Sequence, residues 1–131
     1  MSAAPEQPPS APPAVIRRGD LYWIAADADR PSSPAHPHVV VQDDLFNRSR
    51  VSTVVVIALT SNLRRATEPG NVLLDPGEGG LARPSVVVVS QICSVERSRL
   101  GARLGALSSE RVEQILAGLR FQQVSFFREE L

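Results

Sequence analysis

The sequence contains no lysine and only one cysteine, one tryptophan and one tyrosine among its 131 residues. The single cysteine, Cys93, excludes an internal disulfide and a cysteine-rich metal site. All fourteen basic residues are arginines, and fourteen acidic residues balance them, so the formal net charge is zero. This balance excludes a strongly cationic scaffold that holds nucleic acid by bulk attraction. A binding site for a polyanion must therefore come from a local cluster of arginines.

Long apolar runs are also missing. No stretch approaches the roughly 20 residues of a membrane-spanning helix. The N-terminus lacks the basic start and apolar core that are typical of a signal peptide. We therefore expect a cytoplasmic protein with no membrane contact. Hydrophobic residues make up 43% of the chain and charged residues 21%, as in an ordinary globular protein, and the length is that of about one domain.

The first fourteen residues differ in composition from the rest. Residues 1–14 hold five of the eleven prolines and little apolar bulk. Such a segment cannot bury enough surface to offset the entropy lost on ordering. We expect a disordered Pro/Ala-rich tail over residues 1–14 and a globular domain over residues 15–131. The alternative is that the first residues are an artefact of the assigned start.

Short apolar segments separated by turn residues follow, a pattern typical of β-strands. Residues 20–25 place Tyr22 and Ile24 on one strand face and Leu21 and Trp23 on the other. Residues 53–60 (TVVVIALT) are almost continuously apolar, which indicates a strand buried on both faces. The predicted strands cover residues 20–25, 39–42, 53–60, 71–74, 85–92 and 103–106. The Pro/Ser-rich residues 26–37 are predicted to be a flexible loop, residues 43–50 a polar turn, and Cys93 a buried small residue behind the fifth strand.

Helix signals occur only near the C-terminus. Ser108 has the character of an N-cap, and Glu110 lies in the first turn. An apolar stripe at helical spacing follows, formed by Val112, Ile115, Leu116 and Leu119. Short strands and one terminal helix predict a mainly β (α+β) fold, a small SH3-like curled β-barrel whose open end the helix covers.

Polar residues gather at three predicted loop ends. They are residues 35–38 (AHPH), residues 60–65 (TSNLRR), and the pair Arg17 and Arg18 before the first strand. Polar residues at strand ends stand on rigid supports and face solvent. Histidine exchanges a proton near neutral pH, arginine neutralises charge growing on phosphorus, and a hydroxyl can hold a phosphate oxygen. Together these residue types favour phosphodiester chemistry.

Each of these residues also has a purely structural interpretation. A loop histidine such as His36 is often only solvated, Thr60 can bond its neighbouring backbone, and Arg64 and Arg65 can form a solvated charge pair. His36 and His38 lack a third nearby ligand, so no metal site is predicted. Residue types alone predict no more than a small β-barrel with a cationic loop.

The order of the segments resembles the MazF/PemK family of toxin endoribonucleases from bacterial toxin–antitoxin pairs. The resemblance spans residues 17–121 and includes an opening "RGDhhWh" strand and an "hhhhhTs" strand. Seven segments occur in the family's order, at residues 18–23 (RGDLYW), 36–41 (HPHVVV), 46–47 (FN), 56–61 (VIALTS), 81–86 (LARPSV), 90–92 (SQI), and 99–100 (RL) with 104–108 (LGALS). It implies a CcdB/PemK-like barrel, in agreement with the fold predicted above.

The resemblance also implies a reaction. Members are metal-independent endoribonucleases without a cofactor, in which the 2′-hydroxyl of single-stranded RNA is the nucleophile and the products carry a 2′,3′-cyclic phosphate and a 5′-hydroxyl. The family's catalytic threonine corresponds to Thr60. Its arginine before the strand-two proline is replaced by His36. Our hypothesis is that His36 acts as the acid/base and that Arg64 or Arg65 supplies the lost positive charge.

Further expectations concern substrate and partners. Asn47 and Asn62 are predicted to read base edges, and arginines to track phosphates. The predicted substrate-binding residues are Arg17, Arg18, His38, Asn47, Ser61, Asn62, Arg64 and Arg65. The resemblance implies a homodimer and a cognate antitoxin that covers the RNA face. The apolar terminal segment either extends the dimer interface or packs on its own barrel; its members are Phe121, Val124, Phe126 and Phe127.

Two alternatives remain. A gyrase-inhibiting toxin occurs on the same fold and would need no acid/base residue. A catalytically inactive SH3-like binding module would bind RNA without cutting it.

Overall fold

The computed structural model describes residues 15–128, with side chains described as far as residue 124. The predicted tail and the side chains of Phe126 and Phe127 lie outside the described residues. Six strands in this part of the chain form one antiparallel sheet in the order β4-β5-β3-β2-β1-β6. The strands are β1 (Asp20–Asp27), β2 (Arg30–Val40), β3 (Thr53–Thr60), β4 (Val72–Leu74), β5 (Ser85–Glu96) and β6 (Arg103–Ala106).

Two α-helices and three 3₁₀ turns complete the described part of the chain. Helix α2 (Ser109–Arg128) follows β6, and the Ser108 Oγ accepts a hydrogen bond from the Arg111 backbone N–H, as an N-cap does. The predicted apolar stripe faces the sheet, since Ile115 and Leu119 are buried. The remaining elements are α1 (Asp44–Asn47) and the 3₁₀ turns Leu63–Thr67, Glu78–Gly80 and Arg97–Arg99. No helix in the described part has the length and apolarity needed to cross a membrane.

The sheet curls so that its two edges approach each other. The glycine-rich turn Glu78–Gly80, which follows edge strand β4, packs against the opposite edge strand β6. A Cβ on Gly80, whose φ is +81°, would collide with the Leu104 carbonyl, so this approach requires glycine. The curled β-sheet with a C-terminal helix confirms the predicted fold class, although β4 and β6 are not hydrogen bonded into a closed barrel.

Two apolar clusters occupy the two faces of the sheet. Strand β3 supplies Ile57 and Leu59 to one cluster and Val54 and Val56 to the other. This confirms that β3 is buried on both faces, as its unbroken apolar sequence predicted. In β1, Leu21 joins the first cluster and Tyr22 with Ile24 the second, again as alternation predicted.

The predicted flexible loop over residues 26–37 is wrong. Strands β1 and β2 form a hairpin that continues through register pairs such as Ala25↔Ala35 and Trp23↔Pro37. Strand β2 pairs with β3 only through His38, Val39 and Val40. The earlier part of β2 therefore has one free edge, where a proline that lacks an N–H group is tolerated.

Two other expectations also need correction. Cys93 lies within β5 opposite Val56, and its side chain is exposed, because β5 continues to Glu96 rather than ending at residue 92. The polar residues 43–50 contain the short helix α1, which Asp43 caps by accepting a hydrogen bond from the Leu45 N–H. Both errors arise because polar residues on an exposed face resemble the end of an element.

Candidate active site

The site lies where strands β2 and β3 separate. Their last register pair is His38↔Ala58, and His36 and Thr60 lie two residues beyond it on each strand. If the register continued, these two residues would stand opposite each other on the same face. The strands instead open into a cleft, and both side chains line it.

The cleft consists of two adjoining cavities of about 540 and 360 Å³ that share His36, Leu59 and Thr60. The larger is bounded by the β4–β5 connection and by Trp23, which is 41% exposed. The smaller lies over β5 and the turn that follows it, and its polar lining comprises His36, His38, Thr60, Arg65, Gln91, Cys93 and Arg99.

His38 is half-buried beside the exposed His36. Its Nδ1 lies 2.9 Å from the His36 carbonyl oxygen. Burial lowers the pKa of His38 below its usual value of 6.5; the hydrogen bond to His36 opposes this effect, while the charges of His36 and Arg99 reinforce it. The imidazole is therefore disposed to be neutral near pH 7.

Thr60 ends β3 and turns the chain away from the sheet. Its Oγ1 accepts a hydrogen bond from the Asn62 N–H at 3.1 Å, and the Asn62 Oδ1 in turn accepts one from the Arg64 N–H at 3.2 Å. The backbone bond predicted as the structural alternative for Thr60 is thus present. A hydroxyl that accepts one bond retains its own proton, so Thr60 can still donate to a ligand in the cleft.

The positive charges in the cleft differ from those predicted. Arg65 lines the smaller cavity, but its Nε donates to both carboxylate oxygens of Glu68 at 3.1 Å. Arg64 is exposed and lines neither cavity. Arg99 lines the smaller cavity, and its Nη2 donates to the Ala25 carbonyl at 2.8 Å. Residue types alone missed Arg99, although it belongs to the "RL" segment of the family resemblance.

Two of the three predicted loop ends meet, and the third does not. Arg18 lies near the other end of β2, where its Nε donates to the Val41 carbonyl at 2.9 Å and its Nη2 lies 3.9 Å from Asp43. Val41 follows His36 by five positions along β2 and its end, a distance of about 17 Å in an extended chain. Arg17 is exposed at the same end. Within one protomer these arginines are therefore remote from the cleft.

Asn47 is buried, with 5% of its surface exposed. Its amide donates to the Gln42 carbonyl and to Asp44, and its Oδ1 accepts from Gln42, all at 2.9 Å. The Asn47 amide, which was predicted to read RNA bases, is therefore engaged in holding α1 on the sheet and lines neither cavity. The exposed residues Ser61 and Asn62 lie beside Thr60, and Ser61 lines the larger cavity.

The lining of the cleft favours an anion. Among the described residues, none of the side chains around the two cavities is a carboxylate, whereas Arg65, Arg83 and Arg99 contribute guanidinium groups. The described residues contain no group of three or more His, Cys, Asp or Glu side chains placed to hold a metal ion. The arrangement offers two imidazoles, a hydroxyl and cations around one opening, which suits proton transfer at a phosphate.

Comparison with known proteins identifies the family of the chain. Residues 17–122 match the family of PemK-like, MazF-like toxins of type II toxin–antitoxin systems. The chain is 36% identical to endoribonuclease MazF6 of Mycobacterium tuberculosis over 108 residues, 81% of this chain and 95% of that protein. It is 27% identical to endoribonuclease EndoA of Bacillus subtilis over 103 residues, 77% of this chain and 88% of that protein.

Solved structures show the same fold. A mycobacterial endoribonuclease in complex with its cognate antitoxin superposes with a TM-score of 0.68 at 24% identity, covering 82% of this chain and 93% of that one. MazF from a Deinococcus radiodurans MazE–MazF complex superposes with a TM-score of 0.67 at 20% identity, over 85% and 97% of the two chains. With the family match extending from before β1 into α2, the chain belongs to the PemK-like, MazF-like toxins of type II toxin–antitoxin systems.

Proposed function

We propose that this protein is an endoribonuclease toxin that cleaves single-stranded RNA without a metal ion. The observation that carries the proposal is the meeting of His36 and Thr60 in one cleft that has cations and no carboxylate among its described lining residues. Membership of a toxin family with relatives named as endoribonucleases supports the same reaction.

The reaction is an internal transesterification. The 2′-oxygen of the substrate attacks the adjacent phosphorus, the bond from phosphorus to the 5′-oxygen breaks, and a 2′,3′-cyclic phosphate and a 5′-hydroxyl result. The RNA supplies the nucleophile, so the protein has to move protons and stabilise charge. His36, which stands where the family motif has arginine, exchanges protons with the reacting oxygens. The Thr60 hydroxyl donates to a non-bridging phosphate oxygen.

Arg99 is the cation that best fits the role of charge stabilisation. The hypothesis from the sequence assigned that role to Arg64 or Arg65. Arg64 lies outside the cavities, and Arg65 is neutralised in part by Glu68. Arg99 borders the smaller cavity, and its one described hydrogen bond is to an uncharged carbonyl. Its charge is therefore available to a bound phosphate.

The partners follow from the same proposal. A cognate antitoxin covers the cleft and keeps the toxin inactive; the structure of a mycobacterial endoribonuclease in complex with its cognate antitoxin supports the existence of such a partner. We further propose that the toxin acts in the cytoplasm as a homodimer. Phe121 and Val124 are 57% and 46% exposed on α2, so about half of each side chain is available to a second copy.

The test is incubation of the full-length protein with a long single-stranded RNA in EDTA, followed by mapping of the cut ends. We expect cleavage in the chelator, with 2′,3′-cyclic phosphate and 5′-hydroxyl termini. His36→Ala and Thr60→Val should each lower the cleavage rate about 100-fold. The matched control is Thr53→Val, at the other end of β3, which should cut at the wild-type rate.

Two outcomes would contradict the proposed function, and a third would contradict only the role of His36. RNA binding without cleavage would favour a binding module, and gyrase inhibition without RNA cleavage would favour a gyrase-inhibiting toxin. If His36→Ala cleaves within a few-fold of wild type, the assignment of the acid/base to His36 is wrong even though the reaction class stands.

A further inference from the structure

The smaller cavity contains a second imidazole that the mechanism above does not use. His36 and His38 are two residues apart on β2 and both line this cavity with Thr60. Side chains at such positions project from the same face of a strand and stand about 7 Å apart at their bases. A phosphate bound between them would have one imidazole on either side.

We propose that His38 is the general base of RNA cleavage and that His36 is its acid partner. This inference rests on the proposed function, which it deepens. A single histidine would have to accept the 2′-hydroxyl proton and also protonate the leaving 5′-oxygen within one step. Two imidazoles divide these tasks, with one proton taken up and one released.

The hydrogen bond of His38 determines which of its ring nitrogens can accept a proton. A carbonyl oxygen only accepts, so the contact of 2.9 Å from Nδ1 to the His36 carbonyl requires a proton on Nδ1. A neutral imidazole with Nδ1–H presents its lone pair at Nε2. The contact therefore orients the ring and leaves Nε2 as the proton acceptor.

The surroundings keep His38 in the neutral form that a base requires. The charged or titratable side chains that share its cavity are His36 on the same strand, Arg65 after β3, Cys93 on β5 and Arg99 after β5. On β1, Tyr22 is the ladder partner of His38, and its hydroxyl donates to Asp20. Among the described lining residues no carboxylate stabilises an imidazolium. Burial and the charges of His36 and Arg99 lower the pKa of His38, against the opposing hydrogen bond from its Nδ1.

The proposed step balances in atoms and charge. The Nε2 of His38 takes the proton of the 2′-hydroxyl as the bond from the 2′-oxygen to phosphorus forms. The bond from phosphorus to the 5′-oxygen breaks, and protonated His36 gives its proton to that oxygen. Nothing is oxidised or reduced. The cycle is completed when the two histidines exchange these protons with water.

The pH dependence of cleavage tests the assignment. With the full-length protein and a single-stranded RNA substrate, the wild-type rate should rise with pH as His38 loses its proton. The rate should then fall at alkaline pH, where an imidazole has no proton to donate. His38→Gln should lower the rate about 100-fold or more and abolish the rise on the acid side. Ser94→Ala, an exposed position on β5 next to Cys93, is the control that should keep the wild-type profile.

A second measurement uses the wild-type protein and does not depend on a variant that folds. The chain has only two histidines, so ¹⁵N NMR of labelled imidazoles resolves both. We expect one ring to be the Nδ1–H tautomer and to titrate below the usual histidine range. Two rings that both titrate in the usual range, with no preference for that tautomer, would overturn the inference.

Different outcomes would overturn the role of His38 and the proposed RNA cleavage. Wild-type cleavage together with a His38→Gln variant that retains the acid-side rise and cuts within about threefold would overturn the role of His38 alone. A wild-type protein that cleaves no RNA at any pH would overturn the proposed function and the role of His38 with it.

Discussion

Strand alternation decides which single side chains can act together in the cleft. His36 and His38 share a face of β2, and the proline between them points to the other face. Cys93 reaches the same opening from β5 because it alternates with the half-buried Ile92. Asn47, which belongs to the FN segment of the family resemblance, is buried instead. The residue types were visible in the sequence, but the face on which each lies was not.

Gly118 allows α2 to pack closely against the turn before β4. A Cβ on Gly118 would collide with the carbonyl of Gly70, where the turn before β4 meets α2. Glycine to alanine inside a helix ordinarily stabilises by about 1 kcal/mol. Here we expect Gly118→Ala to lower the free energy of unfolding by about 1–3 kcal/mol, because the helix must move.

Thermal unfolding followed by circular dichroism measures this change. The control is Glu113→Ala, an exposed position on the same helix, which should change the melting temperature little. An increase in melting temperature for Gly118→Ala would mean that α2 does not approach Gly70 as closely as described.

At the scale of elements, pairing partners decide what a segment becomes. Residues 26–37 carry the composition of a loop, and most of them are in strand because β1 supplies a partner along the hairpin. By contrast, residues 53–60 and 103–106 form strands with the predicted bounds. Strands with strong apolar or β-branched runs were predicted well. The proline-rich first part of β2, which has one free edge, was not.

The turn Glu78–Gly80 is tied to α2 by an ion pair. Both carboxylate oxygens of Glu78 accept hydrogen bonds from Arg111 at 2.9 Å, and the two side chains are 27% and 24% exposed. These bonds lower the pKa of Glu78 below its usual 4.5. The carboxylate therefore stabilises the fold above about pH 4.5, and this contribution is lost as the pH falls through the lower pKa of the folded state.

Glu78→Gln should thus destabilise the protein in a pH-dependent way. We expect a loss of about 1 kcal/mol at pH 7, since the pair is partly exposed. The difference from wild type should shrink as the pH falls through the lowered pKa of Glu78 in the folded state, because a protonated carboxyl, like the glutamine amide, carries no charge. Urea unfolding at several pH values measures it, and a difference that is constant with pH would contradict the pairing.

On the scale of the whole molecule, the curl of the sheet brings β2, β3 and the end of β5 around one cleft. The same curl leaves apolar side chains of α2 facing solvent. Phe121 and Val124 are three residues apart and share one side of the helix. Apolar side chains exposed side by side are typical of a surface that another protein covers.

Phe121→Asp should therefore separate the proposed homodimer. Sedimentation should give the wild type twice the chain mass of 14.2 kDa and the variant a single chain mass, because a charge in an apolar interface is costly. Gln123→Asp places the same charge on the opposite side of α2 and should leave the dimer intact. A wild-type protein that sediments as a monomer would contradict the homodimer.

The sequence by itself determined the fold class, the order of the strands along the chain, the helix with its Ser108 cap, and the family. These follow from local periodicity and from segment order, which the chain carries in one dimension. Tertiary structure alone decided that Arg99 rather than Arg64 borders the cleft, that Arg18 and Asn47 are hydrogen bonded within the scaffold, and that His38 lines one cavity with Thr60. Such facts depend on register and burial, because contacts between residues distant in sequence arise only when the strands pair.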